Sequence, residues 1–503
     1  MNKQIRYGSL IAYFNIILNL IINFALTPFM LHSLGSSEYG VYKIVQSFTG
    51  QLAIMSFGLS TVAARYVVLY NTQEKSKEKQ NFLAIMYCLG TLLTVGVLAL
   101  GGVLYLSMDA IYGKSLTIHE LAIAKELCII LVLNVAFSIL CDAFIGIIRA
   151  YEHFVISNFI STFRLIFRLL SIVILLSIGV KSLGIVITDL AITLLILFFS
   201  ILYVKYVLKE KAHFYSFDKQ LIKEIATFSL AVFLQAIVNQ VNQNMDNTIL
   251  GIMTSTSVVT VYSIALTLYT CFISLVTALS SMFGPSATKL VAKGASGEEL
   301  TDFVVEPGRI QTMIALLGIL GFAVVGKDFI QMWMGEGFDD VYVITLILIV
   351  PALIPLVESV TNTILDAMMK RMARSVALLA MCAINVISSI IFIRSFGYIG
   401  AAFGTALSVI MGHGIIINLY LQKRIGLNIF RMFKEIFCGI LPAFLFSMIV
   451  GYFISLIPGS GFLVFGTKVV LLIIEYFIFM YWLGMNRNEK SSIKQIIERK
   501  QIR

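Results

Sequence analysis

Residues 9–34 read SLIAYFNIILNLIINFALTPFMLHSL, twenty-six positions without an acidic or basic side chain other than His32. A bilayer span needs about 20 mostly apolar residues at about 1.5 Å rise each, so this stretch is a membrane helix. It is too long for the core of a signal peptide and no small-residue cleavage site follows, so it reads as an uncleaved first span. Asn15, Asn19 and Asn23 recur every fourth residue along it and share one helical face.

The rest of the chain continues the pattern. Of 503 residues, 59% are hydrophobic and 13% charged, against about 25% charged in soluble domains, and the mean hydropathy is +0.94. Apolar runs divided by charged or Gly/Pro clusters predict fourteen helices, near 9–34, 41–69, 82–107, 125–148, 156–179, 184–204, 225–250, 257–283, 309–330, 341–368, 374–394, 398–421, 434–456 and 462–484. This leaves no room for a soluble catalytic domain or a large extracytoplasmic one. The six cysteines are scattered singly in or beside apolar runs and read as small core residues.

With the N-terminus inside, the inner segments hold 28 of the 37 Lys and Arg residues and the outer segments 7. That asymmetry places both termini in the cytoplasm and makes the number of spans even. The formal charge of +10 is the same signature, so no nucleic-acid partner is expected. The two remaining cations, Arg164 and Arg168, fall inside the fifth span.

An internal repeat organises the spans. Val41-Tyr42-Lys43-Ile44 returns as Val261-Tyr262-Ser263-Ile264, and at the same offset of 220 Asn15, Asn19 and Asn23 fall on Gln235, Asn239 and Gln243 of span 7. Leu183-Gly184 before span 6 resembles Ile399-Gly400 before span 12. The expected architecture is an all-α polytopic membrane protein with two pseudo-symmetric six-helix lobes, residues 1–210 and 211–423, plus two C-terminal spans and a basic tail, residues 424–503.

The loop Leu34-Gly35-Ser36-Ser37-Glu38-Tyr39-Gly40-Val41-Tyr42 and the run Gly397-Tyr398-Ile399-Gly400-Ala401-Ala402-Phe403-Gly404-Thr405-Ala406 resemble recurrent motifs of the Wzx-type polysaccharide flippases, in the multidrug/oligosaccharidyl-lipid/polysaccharide exporter superfamily. The likeness runs from about Ser9 to Lys423. It implies a V-shaped, two-lobed transporter of the bacterial cytoplasmic membrane that carries undecaprenyl-pyrophosphate-linked oligosaccharides from the inner to the outer leaflet. Membrane lipids, a polysaccharide polymerase and glycosyltransferases are the implied partners of a monomeric carrier. These motifs are structural and identify the superfamily better than the cargo.

Amides donate and accept hydrogen bonds, as sugar hydroxyls require, so the two amide faces are candidate cavity linings; the alternative is interhelical hydrogen bonding. In span 5, Ser157, Ser161, Arg164 and Arg168 form one stripe whose last member lies roughly 16 Å along the helix. With Arg65 and Arg149 at the same side, these arginines suit a pyrophosphate, which guanidinium forks bind bidentately; the alternative for Arg65 and Arg149 is cytoplasmic anchoring. Asp246, Glu358 and Asp366 are intramembrane carboxylates and candidates for ion coupling, or else structural partners of the arginines. Glu358 lies deepest in its span, and His413 in span 12 is a proton-relay candidate.

Gly321 to Asp328 mimics a phosphate loop, but Asp328 replaces the required Ser/Thr. No other nucleotide site is visible, the histidines show no metal-ligand spacing and no cofactor is expected, so transport is expected to be secondary, driven by a lipid gradient or by an ion such as H+ or Na+. A multidrug and toxin exporter and a peptidoglycan-precursor flippase share the expected fold and stand as alternatives. An integral-membrane glycosyltransferase or polymerase would need acidic catalytic residues on a sizeable outer loop, and residues 108–124 offer only Asp109 and Glu120. A carrier is expected, not an enzyme.

Overall fold

A computed structural model describes residues 3–216, 219–277, 280–368, 371–459 and 461–491. The helices in chain order are α1 (Lys3–Gly50), α2 (Leu59–Thr72), α3 (Ser76–Tyr112), α4 (Ile118–Ala150), α5 (Phe154–Ser177), α6 (Ser182–Leu202), α7 (Lys219–Met253), α8 (Thr256–Thr277) and α9 (Gly284–Ala292). They continue with α10 (Gly297–Met334), α11 (Asp339–Val357), α12 (Ser359–Ala367), α13 (Arg371–Phe396), α14 (Ile399–Val409), α15 (Asn418–Tyr420), α16 (Ile429–Phe437), α17 (Ile440–Ser455) and α18 (Phe462–Phe479). No strand occurs among the described residues. Contacts divide the chain into two compact units, Met1–Ser263 and Ile264–Arg503.

Eleven of the described helical segments are long and apolar enough to cross a membrane, or twelve if the bent pair α16 and α17 forms one span. One of them, Phe14–Thr72, holds two expected spans. At Gly35 (φ 77) the helix kinks, in a backbone region that costs a glycine little and an L side chain more. Each of the fourteen expected positions is occupied by helix.

Three spans expected to be continuous are interrupted, among them the thirteenth, at Cys438 and Gly439, where α16 and α17 meet at 42°. The second breaks into a 3-10 turn at Gln51–Ser56 followed by left-handed Phe57 and Gly58, and Phe57 stacks on Phe233 of α7 at 4.4 Å. The tenth breaks at Glu358, two turns after Pro351 and one after Pro355, since proline removes a backbone donor and obstructs the preceding turn. In α14 the spacing Gly400 to Gly404 serves close packing: a Cβ at Gly404 would lie 2.6 Å from the Cα of Ser389 on α13. Cys88 and Cys438 are exposed, correcting their assignment to the core; Cys128, Cys141 and Cys382 are buried.

Residues 34–42, expected as a loop, lie within α1 around the kink at Gly35 and form a junction of hydrogen bonds. Glu38 accepts from the backbone N–H and the hydroxyl of Ser182 at 2.9 and 2.7 Å, satisfying an orphan donor at the start of α6. Ser37 and Thr256 both donate to Glu120, which also closes a capping box on Thr117. Thr260 donates to the carbonyl of Ser36 at 2.6 Å, and the missing side chain at Gly40 admits the backbone of Thr256.

Candidate functional site

Within the first unit, charge collects where α5 and α6 meet the part of α1 beyond Gly35. α5 begins at Phe154, so Arg168 lies fourteen residues in, about 21 Å along the helix. This is deeper than expected and beyond reach of that end by snorkelling. Its guanidinium donates to Asp189 through Nε at 2.7 Å and Nη2 at 3.3 Å, and Nη2 also reaches the Tyr42 hydroxyl at 3.1 Å. Gln46 donates to the same hydroxyl at 3.1 Å.

The next residue, Lys43, is half-buried over the rings of Tyr39 and Tyr42, with Nζ 5.4 and 5.7 Å from their centroids. No carboxylate lies within ion-pair distance of it among the described residues. Arg168 acts on it electrostatically. Asp189 therefore offsets one of two cations, and the cluster carries a net positive charge. The aromatic faces stabilise the ammonium in place of a counter-ion.

The amide face of α1 divides in use. Asn15 donates to the carbonyl of Asn158 at 3.0 Å and accepts from Thr162 at 2.6 Å, fastening α1 to α5. Asn19 and Asn23 are exposed and bonded to each other. The side chains of Gln235, Asn239 and Gln243, and that of Asp366, lie outside the described residues. The α7 positions that meet the broken second span are others: Thr248 accepts from Gln51 at 3.1 Å, Asn247 donates to Ser47 at 3.4 Å, and a Cβ at Gly50 would lie 3.0 Å from Gln240.

Three of the four arginines divide between two carboxylates: Arg149 and Arg164 both act electrostatically on Asp142 of α4, and Arg168 pairs with Asp189. Arg65 and Arg149 are exposed, and Arg164 is half-buried. Asp246 is buried and accepts from Tyr262 at 2.7 Å.

In the second unit Glu358, only 2% exposed, sits in the break between α11 and α12. Its Oε2 lies 3.1 Å from His413 Nδ1, and its Oε1 has no hydrogen-bond partner among the described residues. His413 belongs to a π-helical stretch, Ile410–Ile417, that follows α14; such bulges accompany functional positions in helices. Arg374 and Asn418 act on the carboxylate as well. Beside it Ser359, Ser280 and Gln311 form a closed buried triad, with Ser359 donating to Gln311 at 2.7 Å. The two histidine and carboxylate candidates of the sequence thus meet, whereas no sequence pattern pairs Arg168 with Asp189. Asp189 nevertheless has a signal: a lone carboxylate in an apolar run needs a partner.

Broken helices carrying buried ionisable groups, in an all-helical chain of two units, define a membrane transporter fold. Residues 3–288, more than half of the sequence, match the polysaccharide biosynthesis protein family, and the chain belongs to that family. It is 28% identical to the probable flippase AglR of Haloferax volcanii over 178 residues, 33% of this chain and 36% of that protein, so it spans about a third of that relative's length. The fold is similar to that of the lipid II flippase MurJ in an inward closed conformation, with TM-score 0.73, 18% identity and coverage of 99% and 100% of the two chains. It is also similar to an inward-facing multidrug resistance transporter of the MATE family, with TM-score 0.65, 13% identity and coverage of 84% and 96%.

Proposed function

We propose that the chain is a flippase that moves undecaprenyl-pyrophosphate-linked oligosaccharide units from the inner to the outer leaflet by alternating access, for assembly of a surface polysaccharide. The observation that carries this reading is the family match over residues 3–288. The likeness to a probable flippase supports it. So does the net positive cluster of Lys43, Arg168 and Asp189, which suits an anionic cargo better than the cations a drug exporter would recognise. Exposed Asn19 and Asn23 supply sugar-compatible donors and acceptors. The protein works as a monomer in the bacterial cytoplasmic membrane with both termini inside, serving a polymerase and glycosyltransferases.

The drive is a proton gradient, taken up at Glu358 and His413. An imidazole nitrogen facing a carboxylate can hold or release a proton, whereas Na+ calls for a shell of several oxygen ligands. Deleting the gene and measuring lipid-linked intermediates tests the cargo. Loss of surface polysaccharide with accumulation of its lipid-linked repeat unit is expected. Accumulation of the peptidoglycan precursor would assign the related flippase activity, and unchanged levels of both, with drug sensitivity, would assign export of small molecules.

A further inference from the structure

After α6 the chain passes through a π-turn, Tyr203–Val207, and then runs along the start of α3. His213 donates its N–H to the Gln80 carbonyl at 3.2 Å. Asn81 accepts from the N–H groups of Tyr215 and Ser216 at 2.9 and 3.2 Å and donates to the Ser216 carbonyl at 3.0 Å. Glu210 turns inward, where Lys79 reaches it at 2.6 Å and the Tyr151 hydroxyl donates to it. Lys209, with φ 54, adopts a left-handed backbone unfavourable for a lysine; outliers of this kind are starting points for a functional hypothesis.

The inward turn of Glu210 leaves its neighbours uncompensated. Lys205, Lys209 and Lys211 are exposed, and none has a carboxylate within ion-pair distance among the described residues. They line a cavity of about 740 Å³ together with Glu210, whose charge Lys79 offsets, and the apolar or aromatic side chains of Tyr87, Phe144, Ile201 and Val204. That volume lies in the range of ligand sites. Tyr206 is 64% exposed, and Lys205 lies 5.4 Å from its ring centroid. Tyrosine and lysine together at the end of a span mark the membrane–water boundary.

We propose that this cavity seats one anionic phospholipid of the surrounding bilayer. The three lysines hold its phosphate, and the head of an acyl chain lies against Tyr87, Phe144, Ile201 and Val204. Three uncompensated cations beside an apolar wall, at the level of the headgroups, match such a lipid in both charge and polarity. The lipid would brace the connector that leads from the first six spans to α7. This inference does not rest on the cargo proposed above.

The test is lipid retention by the full-length protein purified in mild detergent, read by native mass spectrometry, with phosphatidylglycerol and phosphatidylcholine of identical chains offered in equal amounts. Phosphatidylglycerol should be retained about tenfold better. Lys205→Gln/Lys209→Gln/Lys211→Gln should abolish that preference, and Lys114→Gln/Lys289→Gln/Lys293→Gln, with the same change in charge, should keep it. Ile201→Asp should lower retention without altering protein yield. Equal retention of the two lipids, or an unchanged preference in the first triple variant, would overturn the proposal. Preferential retention of a polyprenyl phosphate would reassign the site from bilayer lipid to transported lipid. Full displacement by inorganic phosphate would leave the apolar wall without a role and overturn the lipid occupant.

Discussion

Arg168 and Asp189 meet through two nitrogen–oxygen contacts, with Tyr42 as a third partner of the guanidinium. Glu358 meets His413 through one, and its second oxygen is unbonded among the described residues. The first pair joins a cation that does not deprotonate to a two-point acceptor, and such a pair fixes geometry. The second joins a buried carboxylate to an imidazole through a single contact, in a break between helices. The contrast is between these two pairs and not between whole units, since the second unit also holds a fixed two-point pair, Arg309 with Glu489 at 2.7 and 3.2 Å.

Replacing the carboxylate of the second pair should have the largest effect. Glu358→Gln removes the titrating oxygen while keeping the shape, and flipping should fall by about tenfold or more, with protein abundance unchanged. The measurement is surface polysaccharide per unit of protein in a flippase-null strain. The same variant should lose its response to an imposed pH gradient in proteoliposomes. A retained response would break the comparison by returning Glu358 to a structural role.

Removing Asp189 should act next, and on stability. Asp189→Ala strands the Arg168 charge, and the half-buried setting sets the cost at about 2 kcal/mol, seen as a lower Tm in detergent. Arg168→Lys keeps the charge and loses the fork, with an expected cost of about 1 kcal/mol. Equal, negligible shifts for both would show that the pair contributes no rigidity.

Lys43→Gln removes the cation that Asp189 does not offset. Cargo affinity should weaken about threefold to tenfold, with Tm unaltered. Least of all, Asn15→Ala should cost about 1 kcal/mol in stability through its lost bonds to α5, with little effect on transport. Asn19→Ala should do the reverse. Matching effects at Asn15 and Asn19 would restore a single role to the whole face.

Much of the site was legible as residue types and little of it as pairings. Hydropathy alone places helices at all fourteen positions, and the buried carboxylate and imidazole at 358 and 413 stand out in apolar runs. The interruptions at 51–58 and at Glu358 were less visible, although Gly58, Pro351 and Pro355 are the residues that permit them. Arg164 and Arg168 share a face by periodicity, yet they face different neighbours, Asp142 and Asp189. A helix face is wide enough to meet two other helices.

Membrane embedding, the positions of the helices and the identity of their polar faces were determined by the sequence itself, because each depends on residues three, four or about twenty apart along one helix. The pairings Arg168 with Asp189, Tyr42 with Arg168 and Glu358 with His413 span 21, 126 and 55 residues. Those depend on which helices pack side by side and at what rotation. Only the tertiary structure decided them, since in a low-dielectric interior a charged side chain takes whichever partner packing brings within about 3 Å, and no local pattern encodes that distance.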